Sequence, residues 1–167
     1  MEAAQSFYQI LTGTSFTLLG LWFGVMQFGH GEWRSDPRRH RSTIHIAMHF
    51  FLPGMLGMGS LLSTPLDEGM LWRATFVLGG AIGVAESIGF IRAPYGPTRW
   101  IERSLRAVDP MLYAGLIVTA FLPAITLGLA PLQIGGMGTG TLFLAGLIYI
   151  WLAFAEPATA PVTSTPS

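Results

Sequence analysis

The chain has 167 residues, 51% of them hydrophobic and only 11% charged, with a mean hydropathy of +0.52. A soluble domain carries about 25% charged residues, so the deficit points to lipid as the solvent. The lack of cysteine excludes disulfides, cysteine-ligated iron–sulfur clusters and thiolate zinc sites, and the zero net charge gives no reason to expect nucleic acid as a partner.

A hydrocarbon core about 30 Å thick takes roughly 20 apolar residues in a helix. On that measure the sequence predicts an all-α polytopic membrane bundle with spans near 7–29, 43–63, 70–91, 110–130 and 139–156, plus a short amphipathic interfacial helix over 97–107. The first span is too long and too poor in N-terminal positive charge for a cleaved signal peptide. Residues 1–156 form one unit, and 157–167, rich in Pro, Thr, Ala and Ser, read as a disordered tail.

All nine positive charges are arginine. Four lie in the 30–42 loop (Arg34, Arg38, Arg39, Arg41) and four in the 92–109 loop (Arg92, Arg99, Arg103, Arg106), whereas the 64–69 turn carries two acids and no arginine. The positive-inside rule places the two arginine loops in the cytoplasm of a bacterial inner-membrane protein. The N-terminus is then outside and, with five spans, the tail inside.

In the first span Gly13, Thr17, Gly20 and Gly24 form a ridge of small residues at helical spacing, and Gly20-x-x-x-Gly24 suits close helix packing. Asp36-Pro37 reads as a helix start, with Asp as cap and Pro at the first helical position. Arg41, His45 and His49 then stack at i, i+4 and i+8 on one face of the second helix. Pro53 cannot donate to the His49 carbonyl, which predicts a kink beside the inner histidine.

The third span carries Gly79-x-x-x-Gly83 and then Glu86, read as a lone carboxylate in an apolar segment. Glu86 and His49 lie at nearly equal chain distance on either side of Asp67, which predicts similar depth. An ionisable group at such depth is a functional candidate. Three readings compete for His45, His49 and Glu86. They pair structurally; they hold a metal or haem, two imidazoles and a carboxylate being a metal-ligand set; or they line a proton or ion pathway. Met48, Met55 and Met58 on the same helix read as adaptable packing rather than copper ligands.

Between spans three and four, Ile101, Leu105 and Val108 fall on one side of a predicted helix and Arg99, Glu102, Arg103 and Arg106 on the other. That pattern suggests a helix lying on the inner leaflet, where Arg38, Arg41, Arg99, Arg103 and Arg106 contact anionic headgroups. Trp72, Tyr95 and Trp100 suit an interfacial aromatic belt. Asp109-Pro110 repeats the Asp-Pro helix start and opens the fourth span, in which Pro123 kinks the chain and frees the Thr119 carbonyl. The segment Leu132–Gly140, with four glycines and no charge, reads as mobile or re-entrant, and Glu156 ends the last span at the interface.

No catalytic serine or cysteine arrangement, phosphate loop or HExxH motif is present, so an enzyme is disfavoured. The expected function is a channel, transporter or proton- or ion-conducting subunit, acting as a homo-oligomer. The alternatives are an accessory subunit of a larger membrane complex and an intramembrane metal or haem protein.

Overall fold

The computed structural model describes residues 2–28, 37–93, 100–126 and 128–155. Among them are five long helices and no strand: α1 Glu2–Phe28, α2 Pro37–Leu62, α3 Met70–Ile91, α4 Trp100–Thr119 and α5 Pro131–Phe154. Each neighbour runs antiparallel to the last. Trp22 donates to the Thr43 carbonyl, His45 meets Glu86, Gly83 abuts Tyr113, and Tyr149 reaches Asp109. The five close a ring in chain order, α5 returning to α1, and α2 also packs directly on α5. Over the apolar part of α2 61% of residues are buried, against 22% to 33% in α1, α3 and α5, so α2 is the central helix.

Four of these helices, α1, α2, α3 and α5, are long and apolar enough to cross a membrane, and they suggest a membrane protein. The count of five spans is not matched. The expected interfacial helix and the first half of the expected fourth span are one continuous helix, α4, with Pro110 in its interior. Asp109 is therefore not a cap. Its carboxylate is fully buried and faces α2 and α5. The charged first half of α4, with Glu102, Arg103, Arg106 and Asp109, is what keeps it out of the apolar class. The preference of a residue before proline for extended backbone is overridden here by packing on both sides of α4.

The far end of the fourth span also differs. α4 stops at Thr119, and the chain tightens into i→i+3 bonds from Ala120 to Ile117, Phe121 to Val118 and Leu122 to Thr119. Pro123 follows, outside the helix, with no N–H to continue it. The Thr119 carbonyl is thus accepting the Leu122 N–H at 3.3 Å rather than free. A tight reversal closed by Thr126 and Leu129, with Gly128 at φ 77°, leads to Pro131 at the first position of α5.

The glycine-rich 132–140 segment is helical, not mobile or re-entrant. Its glycines serve close approach. A Cβ on Gly136 would stand 3.2 Å from the Phe7 ring, and one on Gly138 2.9 Å from Leu116. Gly79 and Gly83 likewise take Leu56 and Tyr113, whereas Gly13, Gly20 and Gly24 face open space. Pro53 lies inside α2, as its position after His49 implies. The Asp36 cap, Arg34, Arg99, Tyr95, Glu156 and the tail lie outside the described residues, as does the side chain of Arg38.

Large apolar side chains are exposed along the helices, and polar ones are buried beside an apolar core. Phe28, Leu78, Met111, Phe121, Ile125 and Trp151 are exposed, while His45, His49, Asp109, Arg106, Ser15, Ser87 and Thr139 are buried. Two apolar clusters lie along the bundle. One joins Tyr8, Leu52, Leu56, Trp72, Phe76, Leu116 and Leu142; the other joins Trp22, Ile46, Phe50, Phe90 and Tyr149. Trp72 belongs to the first, edge-on to Phe76 at 5.5 Å, and so is not part of a surface belt. The turn between α2 and α3 is fixed by Asp67, which accepts from Ser63 Oγ at 3.0 Å and from the Gly69 N–H at 2.9 Å.

Candidate functional site: a buried histidine–carboxylate centre

α2 supplies three inward groups one turn apart, and neighbouring groups share a carboxylate partner: Glu86 for Arg41 and His45, Asp109 for His45 and His49. Arg41 Nη2 lies 3.1 Å from Glu86 Oε1 and donates to the Glu86 carbonyl at 3.0 Å. His45 Nδ1 lies 2.6 Å from Glu86 Oε2, and its Nε2 lies 3.1 Å from Asp109 Oδ2. His49 Nδ1 lies 2.9 Å from the His45 carbonyl, and its Nε2 lies 3.5 Å from Asp109 Oδ1. From α5, the Tyr149 hydroxyl donates to Asp109 Oδ2 at 2.6 Å. The groups run inward from the half-exposed Arg41 to the fully buried His49 and Asp109.

The rings are held by aromatic packing as well as by hydrogen bonds. His45 stacks on Phe90 with centroids 3.8 Å apart and planes 14° apart, and Tyr149 stands edge-on to both histidines at 4.8 and 5.2 Å. Arg106, expected at the headgroups, instead lies buried over the Phe90 ring at 4.0 Å and pairs with Glu102. Arg41, also expected there, turns inward to Glu86; Arg103 remains exposed. Much of the polar side of α4 faces the bundle, where its partners lie. Glu102, Arg106, Asp109 and Tyr113 lie at helical spacing on that inward side, while Val108 and Met111 face out.

Hydrogen-bond chemistry constrains the protons. The His45 carbonyl only accepts, so Nδ1 of His49 carries the hydrogen and, in the neutral ring, Nε2 presents a lone pair. That lone pair faces a carboxylate oxygen. At 3.5 Å the two do not form a hydrogen bond, and neither His49 Nε2 nor Asp109 Oδ1 has another partner, though both are buried. Leaving a buried acceptor unpaired costs about 1–3 kcal/mol, and with a neutral His49 two such acceptors would face one another, whereas a doubly protonated ring would pair with the carboxylate.

A cation between them would remove that conflict. His45, His49 and Asp109 each offer one ligand atom, and the three atoms lie within 4.8 Å of one another. Ligands at the usual bond lengths of about 2.0–2.1 Å around a tetrahedral centre are roughly 3.3–3.4 Å apart; the 3.1 and 3.5 Å separations here run to different oxygens of Asp109, and the three-atom set spreads up to 4.8 Å, so its members would draw together around an ion. Metal-ligating histidines hold their second nitrogen against a carboxylate or a carbonyl. His45 does the first through Glu86 and His49 the second through the His45 carbonyl.

The sequence-based candidates His45, His49 and Glu86 thus come together, in a different pairing. His45 meets Glu86, His49 lies one turn deeper, and the group whose possible ligand atoms lie within 4.8 Å of one another is His45, His49 and Asp109. Asp109 and Tyr149 were not foreseen as site residues. Asp109 was disguised by the Pro after it, which mimics a helix start; the periodic polar stripe 102, 106, 109, 113 is the signal that reveals it. Tyr149 carries no such signal, since a lone tyrosine in an apolar helix is unremarkable. No family model, curated protein or solved structure matches the chain.

Proposed function

We propose that this is an integral membrane protein that binds a divalent transition-metal cation at the centre of its helix bundle. His45 Nε2, His49 Nε2 and the Asp109 carboxylate are the ligands, and Glu86 and Tyr149 orient them. In this reading α4 crosses with the other four helices, its polar stripe hidden inside, and the arginine-rich end faces the cytoplasm. The observation that carries the proposal is the buried, unpartnered pair His49 Nε2 and Asp109 Oδ1, facing each other at 3.5 Å. Two imidazoles and one carboxylate suit iron(II), zinc or manganese, and leave positions for water or substrate.

Elemental analysis of untagged protein purified in detergent tests this directly, together with cobalt(II) titration followed by its visible absorption. About one ion per chain is expected in the wild type, lost in His49→Ala. A wild type that takes up no divalent ion overturns the proposal.

A second reading, passage of the cation through the bundle, is favoured by the unbroken run from half-exposed Arg41 through Glu86 and His45 to Asp109. It predicts uptake of the metal into proteoliposomes and a lower flux in Glu86→Gln. Equal flux in that variant would sink it.

A further inference from the structure

We infer that Arg41 is an exchangeable counter-charge that covers the metal-free centre and swings out when a divalent ion binds. The inference rests on the metal reading above. It starts from three facts about Arg41. Its side chain is the one in the chain of contacts with substantial exposure, 29% against 10% for Glu86 and at most 1% for His45, His49 and Asp109. It holds Glu86 twice with a single nitrogen, once at the carboxylate and once at the backbone carbonyl. It rests in a notch left by Gly89, where a Cβ would stand 2.9 Å from Nη2.

The charges then decide. Arg41 is the fixed positive group on Glu86, and His45 links Glu86 to the second carboxylate, Asp109. A divalent ion between the histidines and Asp109 brings the total to three positive charges against two negative ones. In a low-dielectric interior an excess charge is costly. The metal, its ligands and Glu86 are all held by buried contacts, whereas Arg41 has a path outward along its own half-exposed stem. Its departure restores balance and leaves Glu86 to hold His45 alone. Binding of the ion and the Arg41–Glu86 contact therefore exclude one another in part, and the site carries its own counter-ion.

The experiment measures zinc(II) affinity by competition with a chromophoric chelator in wild type, Arg41→Gln and Arg41→Lys. It also follows phenylglyoxal labelling of Arg41 by peptide mass spectrometry with and without zinc(II). Arg41→Gln is expected to bind roughly tenfold or more tightly than wild type, Arg41→Lys to stay within about threefold because the charge remains, and Arg41 labelling in wild type to rise with zinc(II). Unchanged or weaker binding in a folded Arg41→Gln, or labelling that does not rise, overturns the inference. If the wild type binds zinc(II) and only these Arg41 readouts fail, the metal centre stands without the switch. If the wild type binds none, both fall.

Discussion

Replacing Asp109 by Asn separates a metal centre from a merely structural ion network. The substitution keeps the shape and removes one negative charge. In the wild type Asp109 Oδ2 accepts from Tyr149 at 2.6 Å and sits 3.1 Å from His45 Nε2, while Oδ1 faces His49 Nε2 at 3.5 Å without bonding it. An asparagine oxygen in the Oδ2 position still accepts from Tyr149, and its amide in the Oδ1 position donates to the lone pair on His49. Charge-assisted bonds worth about 1.5–3 kcal/mol each become neutral ones near 1 kcal/mol, a loss offset by relief of an unpaired acceptor worth about 1–3 kcal/mol. The metal-free variant should therefore lie within about 2 kcal/mol of the wild type. Metal affinity should collapse. An apparent binding energy of about 10–16 kcal/mol shared among four ligands assigns roughly 3 kcal/mol to each, more than a hundredfold. The assay is thermal unfolding in detergent by circular dichroism, with and without zinc(II). Wild type should gain stability with zinc(II), and Asp109→Asn should not. A metal-insensitive wild type, with a variant destabilised by the about 3–5 kcal/mol typical of a broken buried ion pair, would refute the reasoning and leave a structural network.

Gly83→Ala should destabilise the bundle by about 1–3 kcal/mol, since the new methyl would run into the Tyr113 ring on α4; unchanged thermal stability would contradict the α3–α4 packing. Gly20→Ala and Gly24→Ala meet no neighbour within the chain, so each should leave unfolding unchanged or raise stability by about 0.5–1 kcal/mol. A loss on either would show that another chain covers the ridge, which native mass analysis would then resolve as a lost oligomer. The turn at Asp67 gives a pH prediction. Desolvation raises its carboxyl, but hydrogen bonds from the Gly69 N–H and Ser63, with those of the Thr64 and Leu71 backbone, together hold it below the usual carboxylate range. A depressed folded value means the contribution is present above the unfolded value of about 3.9 and lost as pH falls through the folded one. Asp67→Asn should thus unfold earlier than wild type at pH 7, and the difference should vanish in strong acid.

The helices α1, α2, α3 and most of α5 were legible because each is an apolar run long enough to cross a membrane, and such runs leave a direct mark on composition. The rest was hidden where two physical rules compete. At Asp109-Pro110 the sequence pattern of a capped helix start coincides with a buried acid followed by a tolerated proline, and only packing from α2 and α5 decides between them. At 132–140 four glycines lower helix propensity, yet each missing side chain lets Phe7, Phe76 or Leu116 approach, and the packing gained outweighs the propensity lost. At 120–130 apolar character continues past the helix, but Pro123 cannot extend it, so hydropathy alone overruns the end.

The histidine stripe shows how far spacing on one helix can go. The i, i+4, i+8 order of Arg41, His45 and His49 fixes that all three face one way, and counting residues from Asp67 places Glu86 within one turn of its true partner. It cannot say which histidine Glu86 meets, because the chain spends residues 63–69 on a 3-10 turn and a left-handed Gly69 before α3 begins. One residue of uncertainty in such a turn rotates α3 by about 100°, so pairing across helices is decided by packing, not by counting. The partner on α4 was further out of reach. A soluble amphipathic helix turns its charges outward, and α4 turns Arg106 and Asp109 in while Arg103 stays exposed, because the groups that pair with Asp109 lie on α2 and α5 inside the bundle. Reading the same periodicity with the opposite sign places Glu102, Arg106, Asp109 and Tyr113 on the inner side, and Asp109 then stands where His45 and His49 need an anion.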